Sequence, residues 1–270
     1  MEFGDITTRG LVLLGCGKMG GAMLEGWLAG GLAPSSVWVI DPYPSEQVKA
    51  AGVQVNVALP ASPAVVVIAV KPQMMGEALH QVAALGGGET LFLSIAAGTT
   101  ISVFESNFGE LTPIVRAMPN TPAAIGRGIT ALVRNARVSE SALAMAEGLL
   151  AAVGQTVRLE DEADMDAVTA VSGSGPAYVF HLIETLAKAG EAEGLAPDLA
   201  MTLAKATVAG AGALAETAEE DPTQLRVNVT SPNGTTQAAL EVLMDEGSGF
   251  PVLVRRAVKA AADRSRELGK

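Results

Sequence analysis

The sequence has little of the chemistry that disulfides and metal centres require. Its 270 residues include one cysteine, Cys16, and two histidines, His80 and His181. A single cysteine excludes an internal disulfide framework and a multi-cysteine zinc site, and two histidines leave little for a histidine metal cluster. We therefore expect a protein without a metal, whose core needs no covalent support at this length.

Positive charge is also scarce. Eighteen lysines and arginines stand against 29 aspartates and glutamates, which gives a formal net charge of −11. This balance argues against nucleic acid or an anionic membrane as the main partner. The apolar run at residues 64–70 is too short to span a bilayer. Residues 1–5 have an acidic character and do not resemble the start of a signal peptide. We expect a cytoplasmic protein that acts on a small molecule.

The first 160 residues alternate short apolar runs with helical patterns. Because these runs are continuous rather than alternating, they are typical of strands buried on both faces of a parallel sheet. This pattern predicts a doubly wound α/β domain over residues 1–160. The predicted strands cover residues 11–15, 37–41, 53–56, 64–70, 91–97, 114–117 and 129–134, and the predicted helices cover residues 18–29, 46–51, 74–85, 101–107 and 140–152.

From residue 161 onward the pattern is helical, and we predict no further strand. Pro176, Pro197, Pro222 and Pro251 each stand at or before a helix start, where a missing N–H group costs nothing. The predicted architecture is thus a Rossmann-type doubly wound sheet followed by an all-helical C-terminal dimerisation domain, residues 161–270. Its predicted helices cover residues 165–171, 177–193, 198–219, 223–229, 235–245 and 252–268.

The assignment to dimerisation depends on the helix at residues 177–193. Its polar residues His181, Glu184, Lys188 and Glu191 form one narrow stripe, and apolar side chains cover the rest. A helix of this kind must be buried on several sides. The next helix carries small residues at 209–213 that permit close helix packing. We predict a homodimer through this region, and burial of the helix within one chain is the alternative.

The strongest local signal is the run from Gly15 to Gly20, a complete G-x-G-x-x-G between an apolar strand and a helix. In such loops Gly15 makes the tight turn, Gly17 lets the backbone approach a pyrophosphate, and Gly20 permits close helix–strand packing. The helix N-terminus then offers N–H groups to the phosphates. A glycine-rich turn without a ligand is the alternative. The surrounding pattern favours dinucleotide binding.

Asp41 ends the second predicted strand, about 20 residues after the loop, where dinucleotide-binding proteins place an acidic residue. A carboxylate there accepts hydrogen bonds from ribose hydroxyls and repels a 2′-phosphate, so it favours NADH. An ordinary turn with Pro42 is the alternative. Cys16 lies near the helix N-terminus, which predicts a lowered thiol pKa. We nevertheless expect Cys16 to fill space in the loop rather than to act as a nucleophile.

A second informative stretch runs from Asn228 to Thr236, ahead of a predicted helix. Hydroxyl groups and free backbone amides at a helix start form a pocket suited to a carboxylate. A helix cap with an ordinary Pro-Asn-Gly turn is an equally good explanation of the loop alone. The hydroxyls belong to Thr230, Ser231, Thr235 and Thr236.

Taken together, these stretches resemble the pyrroline-5-carboxylate reductase family over residues 10–268, essentially the whole chain. The glycine loop is shared by many dehydrogenases, whereas the run at residues 229–236 is specific. The matching stretches are residues 15–20 with Ala22, 69–72, 94–98 with 116–122, 168–178, and 229–236 with Ala239, Leu240 and Leu243.

The resemblance implies reduction of 1-pyrroline-5-carboxylate to L-proline by NADPH or NADH, the last step of proline biosynthesis. It implies a substrate site of Glu219, Ser231, Gly234, Thr235 and Thr236, with Thr236 as the candidate proton donor and Glu219 reaching across a dimer. Family dimers often assemble further into decamers. The implied cofactor residues, besides Asp41, are Leu14, Gly15, Cys16, Gly17, Lys18, Met19, Gly20, Ala69, Val70, Lys71, Pro72, Ile95, Ala96, Ala97 and Asn228.

The sequence departs from the family pattern at three places. Asn233 replaces the first glycine of a common Pro-Gly-Gly, a mild change because asparagine tolerates left-handed backbone. Asp41 stands where phosphate-binding members place small, polar or basic residues, which leaves the choice between NADH and NADPH open. Residues 1–9 extend past the usual start of the family, and we expect them to be disordered.

Two other functions compete with this interpretation. A β-hydroxyacid dehydrogenase would carry a lysine early on the first long helix of the second domain, but residues 176–183 have none and Lys188 comes later. A non-catalytic nucleotide sensor would lack the substrate loop, whereas residues 229–236 are intact. Both alternatives are therefore weaker than the reductase.

Overall fold

The computed structural model describes residues 3–269 of the chain. Packing divides the chain into two compact units. One contains the residues up to Gly173 together with those from Ala261 onward, and the other is Ser174–Ala260. These units are groups of residues that pack together and are not functional domains. The division into two domains after residue 160 therefore stays a prediction.

The first unit is built on one eight-stranded sheet in the order β3-β2-β1-β4-β5-β6-β7-β8. Neighbouring strands run parallel except β6 and β7, which are antiparallel. The predicted Rossmann-type doubly wound fold is thereby confirmed. The strands are β1 (Leu11–Leu14), β2 (Val37–Ile40), β3 (Gln54–Val55), β4 (Val65–Ile68), β5 (Leu91–Ser94), β6 (Ile114–Met118), β7 (Gly128–Arg134) and β8 (Gly154–Arg158).

The three central strands explain why their sequence lacks alternation. Every residue of β1, β4 and β5 is buried, because side chains on both faces pack against helices. On one face Leu13 and Val67 join a core that contains Trp27. On the other face Leu14 and Ile68 join a core that contains phenylalanines of the fifth helix. Two apolar layers therefore hold the sheet.

Most helices of the first unit lie at predicted positions, with small shifts of their ends. They are α1 (Gly4–Arg9), α2 (Lys18–Ala29), α3 (Glu46–Ala50), α4 (Met75–His80), α5 (Ile101–Phe108), α6 (Glu140–Leu150) and α7 (Met165–Val168), the last followed by a π-helical turn at Thr169–Gly173. The helix predicted over residues 74–85 is wrong in length. It ends at His80, because Val82 leaves the helical conformation (φ −120°) and becomes fully buried.

Two further expectations are wrong. Residues 4–9 of the segment expected to be disordered form α1, because Ile6 is buried in the core and Arg9 donates to the carbonyl oxygens of Ser62 and Pro63. Strand β8 is absent from the predicted strands, because its residues are mostly polar or exposed. It pairs with β7 only, at the edge of the sheet, where a strand needs no continuous apolar run.

The second unit is helical throughout, as predicted. It contains α8 (Gly175–Ala192), α9 (Pro197–Thr217), α10 (Pro222–Asn228), α11 (Thr235–Leu243) and α12 (Phe250–Leu268), whose residues from Ala261 belong to the first unit. Pro176, Pro197, Pro222 and Pro251 all lie in first turns of these helices. Among the described residues, none of the helices is long and apolar enough to cross a membrane.

The interior of the second unit is small for its apolar content. Its buried cluster consists of Ala187, Ala200 and Ala204. Large side chains on α8 and α9 lie outside that cluster, among them Phe180 at 62% exposure and Leu203 at 47%. Apolar surface of this extent is typical of a face that packs against another protein chain. The polar stripe predicted on α8 is also present, because Glu184 pairs with both His181 and Lys188.

The two tryptophans provide a matched test of the core. Trp27 is fully buried and its indole N–H donates to the Leu149 carbonyl at 2.8 Å, whereas the half-buried Trp38 makes no indole hydrogen bond within the described part of the chain. We expect Trp27→Phe to lower the free energy of unfolding by about 2–4 kcal/mol, because it leaves a cavity and an unpaired carbonyl. Trp38→Phe should cost about 1 kcal/mol or less.

Urea denaturation of both variants measures this difference. Equal losses for Trp27→Phe and Trp38→Phe would contradict the larger stabilising contribution expected of Trp27.

Candidate active site

The carboxyl ends of neighbouring strands bring the predicted cofactor residues of the first unit together. The Ala69 N–H donates to the Leu14 carbonyl at 2.8 Å, and the Ile95 N–H donates to the Ile68 carbonyl at 3.0 Å. The strand order reverses direction between β1 and β4, and open α/β sheets bind ligands at such a switch point. Along this edge lie Leu14, Gly15, Cys16, Gly17, Lys18, Met19, Gly20, Asp41, Ala69, Val70, Lys71, Pro72, Ile95, Ala96 and Ala97.

The glycine loop has the geometry that dinucleotide binding requires. Gly15 has φ +88°, and a Cβ at Gly20 would lie 2.6 Å from the Gly15 carbonyl oxygen, so both positions need glycine. Gly17 is different, because a Cβ there would meet no atom within 4 Å. Its open face leaves room for a pyrophosphate. No side chain caps α2 at Gly17, so the first N–H groups of this helix are available to an anion. These residues fit a dinucleotide.

Asp41 is held rigidly beside this loop. Its carboxylate accepts the N–H of Cys16 at 2.7 Å and the N–H of Tyr43 at 2.8 Å. The Asn56 amide binds the Asp41 backbone on both sides, accepting its N–H at 3.0 Å and donating to its carbonyl at 2.8 Å. Asp41 thus closes a turn, which is the alternative interpretation of this residue, and also borders a cavity of about 660 Å³ that Lys18 lines as well.

The contact of Asn56 with Asp41 was missed by the sequence analysis. Asn56 has a positive φ of 52°, a conformation in which asparagine is enriched. Its place at the end of a strand was the available signal.

The structure corrects the expected chemistry of Cys16. Burial raises the pKa of its thiol to about 11, and the negative charges of Asp41 and Glu25 act in the same direction. The lowered pKa expected from the helix N-terminus is therefore wrong. The side chain is 8% exposed and neutral at pH 7, in keeping with a residue that fills space.

The predicted substrate loop lies in the second unit, between α10 and α11. Helix α11 begins without a side-chain cap, because its N-cap residue is Gly234. The hydroxyls of Ser231, Thr235 and Thr236 make no hydrogen bond within the described part of the chain, and Thr236 is half-buried. The Pro-Asn-Gly turn of the alternative explanation is present, because the Gly234 N–H donates to the Ser231 carbonyl at 3.0 Å, but no hydroxyl caps the helix. The loop presents unpaired hydroxyls beside the unpaired N–H groups of a helix N-terminus.

Hydrogen bonds between side chains and backbone groups hold the loop in this conformation. The Thr230 hydroxyl donates to the Arg226 carbonyl at 2.6 Å. Asn233 has φ +56°, so asparagine does take the left-handed conformation here. Its N–H donates to the side chain of Gln237 at 2.8 Å. Gln237 was also missed, although a glutamine three residues after the N-cap is a known helix-start signal.

Glu219 and Asn228 flank the loop in sequence within the second unit. Glu219 is exposed between α9 and α10, and the Asn228 side chain accepts a hydrogen bond from Gln224 at 2.7 Å. Asn228 differs from the other predicted cofactor residues, all of which lie in the first unit.

Comparison with known proteins covers both parts of the chain. The family model for pyrroline-5-carboxylate reductase dimerisation matches residues 162–268, and the model described as NADP oxidoreductase, coenzyme F420-dependent, matches residues 10–98. Pyrroline-5-carboxylate reductase of Pseudomonas aeruginosa is 40% identical over 98% of each chain.

Solved structures give the same result. A pyrroline-5-carboxylate reductase from Coxiella burnetii superposes with a TM-score of 0.90 at 34% identity, covering 97% of this chain and 99% of the other. The Plasmodium falciparum pyrroline carboxylate reductase with NADP bound superposes with a TM-score of 0.85 at 28% identity, covering 98% and 99%.

The raised pKa of Cys16 predicts an unreactive thiol. Because a pKa of about 11 leaves almost no thiolate at neutral pH, we expect iodoacetamide to alkylate the native protein at pH 7.5 roughly 100-fold more slowly than the unfolded chain. Mass spectrometry of the modified protein measures this rate without ambiguity, since the chain has one cysteine. Alkylation of the folded protein at the rate found in denaturant would contradict the assignment.

Proposed function

The chain belongs to the pyrroline-5-carboxylate reductase family, and we propose how its residues divide the work of this reaction. It is an oxidoreductase that reduces the C=N bond of 1-pyrroline-5-carboxylate with NAD(P)H, which yields L-proline in the last step of proline biosynthesis. This proposed assignment of roles rests on one observation, the uncapped N-terminus of α11 with the unpaired hydroxyls beside it.

The cofactor residues of the first unit have positioning roles in this proposal. The N–H groups at the start of α2 bind the pyrophosphate over the open face of Gly17, and Asp41 accepts hydrogen bonds from ribose hydroxyls. Residues 69–72 and 95–97 border the rest of the cofactor, and Asn228 approaches its nicotinamide end. The bound nicotinamide supplies the hydride for the imine carbon, so the chain itself needs to provide orientation and a proton.

The loop before α11 carries the proposed substrate contacts. The substrate carboxylate binds beside Gly234 to the N–H groups at the start of α11 and to the hydroxyls of Ser231 and Thr235. The positive end of the helix dipole favours this anion. The Thr236 hydroxyl faces the ring nitrogen, which gains a proton as the carbon gains a hydride. Because a threonine hydroxyl is a weak acid, Thr236 orients or relays this proton rather than supplying it from a titrating group.

Assembly is the third part of the proposal. The exposed apolar residues of α8 and α9 support a homodimer, with Glu219 reaching the ring nitrogen of the partner's substrate. Further assembly of dimers into a decamer is proposed from the family resemblance. We also propose that the protein acts in the cytoplasm.

Thr236 is the sharpest test of the site. We expect Thr236→Ala to lower kcat by roughly 100-fold or more, the usual contribution of a positioned proton-transfer group, without weakening NAD(P)H binding. Thr236→Ser keeps the hydroxyl and should retain most of the turnover. Thr235→Ala is the neighbouring control and should raise the KM for the imine substrate more than it lowers kcat. Steady-state oxidation of NAD(P)H distinguishes these effects.

A folded Thr236→Ala variant with normal turnover would show that the loop only begins a helix.

Asp41 tests cofactor choice. From its charge we expect the wild type to use NADH at least as well as NADPH. Asp41→Asn removes the charge and keeps an oxygen for the Cys16 N–H, so the ratio of NADPH to NADH affinity should rise roughly tenfold. Asp41→Ser should shift the ratio the same way, with weaker binding of both because that oxygen is displaced. Calorimetric titration with each nucleotide measures the ratio.

The matched control is Glu25→Gln, which removes a negative charge from the same cavity lining and should leave the ratio unchanged. A strong preference of the wild type for NADPH, or a ratio unmoved by Asp41→Asn, would show that Asp41 does not face the ribose.

A further inference from the structure

One carboxylate fixes the far end of the connection between β5 and α5. This connection contains Ile95–Ala97 and ends where α5 begins at Ile101. The N-cap residue Thr100 does not cap the helix, because its hydroxyl pairs with that of Ser102 at 2.9 Å. Instead the Ile101 N–H donates to Oε1 of Glu162 at 2.9 Å. The helix is therefore capped by a residue distant in sequence.

The same oxygen also binds a buried arginine. Nη1 of Arg116 lies 2.6 Å from Oε1 of Glu162, and the Arg116 side chain is only 5% exposed. In the sheet, Arg116 of β6 is the register partner of Ser94 of β5, the residue directly before Ile95. A buried guanidinium needs an opposite charge, because an unpaired charge in the interior is strongly destabilising. Glu162 thus joins the start of α5 to the strand beside this connection.

The near end of the connection is held by different contacts. The Ala96 N–H donates to the Ser94 hydroxyl at 3.2 Å. A Cβ at Gly98 would lie 3.3 Å from Cβ of Leu268 in α12, so the chain here also lies against the last helix. Residues 95–100 are thus held at the near end by these contacts and at the far end by the hydrogen bond from Ile101 to Glu162.

We propose that Glu162 is a positioning residue for cofactor binding, which acts by holding the Ile101 N–H and the Arg116 guanidinium with one oxygen. The proposal rests on the proposed role of Ile95–Ala97 at the cofactor. Glu162 touches neither cofactor nor substrate in this account. Its loss should weaken NAD(P)H binding and leave the KM for the imine substrate unchanged.

Two double variants separate the tie at Ile101 from the ion pair. The first, Arg116→Met with Glu162→Gln (the Met/Gln variant), removes both charges and keeps an oxygen for the Ile101 N–H. The second, Arg116→Met with Glu162→Met (the Met/Met variant), removes both charges and that oxygen as well. Neither leaves an unpaired buried charge, so both should fold. Calorimetric titration with NADPH and NADH gives the dissociation constants, and thermal unfolding gives Tm.

We expect the Met/Met variant to bind the nucleotide about tenfold more weakly than the Met/Gln variant, because loss of the hydrogen bond at Ile101 displaces the residues that border the cofactor. The Met/Gln variant should bind within about threefold of the wild type, since its cap is intact. Glu147→Ala is the control, because it breaks the surface pair with Arg158 (2.6 Å) in the same unit and should leave nucleotide affinity unchanged.

Equal nucleotide affinity of the Met/Met and Met/Gln variants, whatever their Tm, would overturn the proposal and leave Glu162 a stabilising residue only. Failure of the proposed function would be visible separately, since the wild type itself would then not oxidise NAD(P)H with 1-pyrroline-5-carboxylate. Recovery of affinity in the Met/Gln variant alone would support the positioning role.

Discussion

The turn between β1 and α2 lies very close to the end of β4. The proposed cofactor site, at the carboxyl ends of the strands, depends on this close approach. Gly15 leaves no space for a side chain, because a Cβ there would lie 2.8 Å from Val70 Cγ1. Gly20 is equally confined against the Gly15 carbonyl. This contact sets the start of α2 directly beside the loop after β4, so that the helix N–H groups and residues 69–72 share one edge. Larger residues at either position would separate the elements and remove the anion site.

The sequence predicts the central strands of the sheet well, but it predicts contacts between residues distant in the chain poorly, and the reason is physical. Strands β1, β4 and β5 are apolar at nearly every residue because both faces are covered, and this condition is visible in the residues themselves. Edge strand β8 has no such condition to satisfy. The roles of Asn56 and Glu162 depend on partners far away in the chain, Asp41 and Arg116. The raised pKa of Cys16 likewise depends on burial, which no local pattern reports.

The two units of the chain reach stability in different ways. The first buries large side chains such as Trp27 and Phe104 completely on either side of the sheet. The second has a core of three alanines and leaves Phe180 and Leu199 at 62% and 49% exposure. Helices rich in alanine pack closely but bury little area, and apolar area is what stabilises a fold. The dimerisation family model that covers this region agrees with the interpretation that further burial comes from a second copy.

The proposed substrate loop has few groups that change charge near neutral pH. Its donors are backbone N–H groups and hydroxyls, and the nearby shifted carboxyl belongs to Asp221, whose pKa is lowered by the Gln224 and Thr223 N–H groups that it caps. A lowered carboxyl pKa keeps Asp221 ionised and the cap of α10 intact as pH falls toward the ordinary range of aspartate. The cap of α10 therefore persists to lower pH than an ordinary aspartate would allow. Hydride transfer to an imine requires mainly orientation and a proton at nitrogen, and in the proposed site the uncharged donors at the uncapped start of α11 meet that requirement without a titrating catalyst of their own.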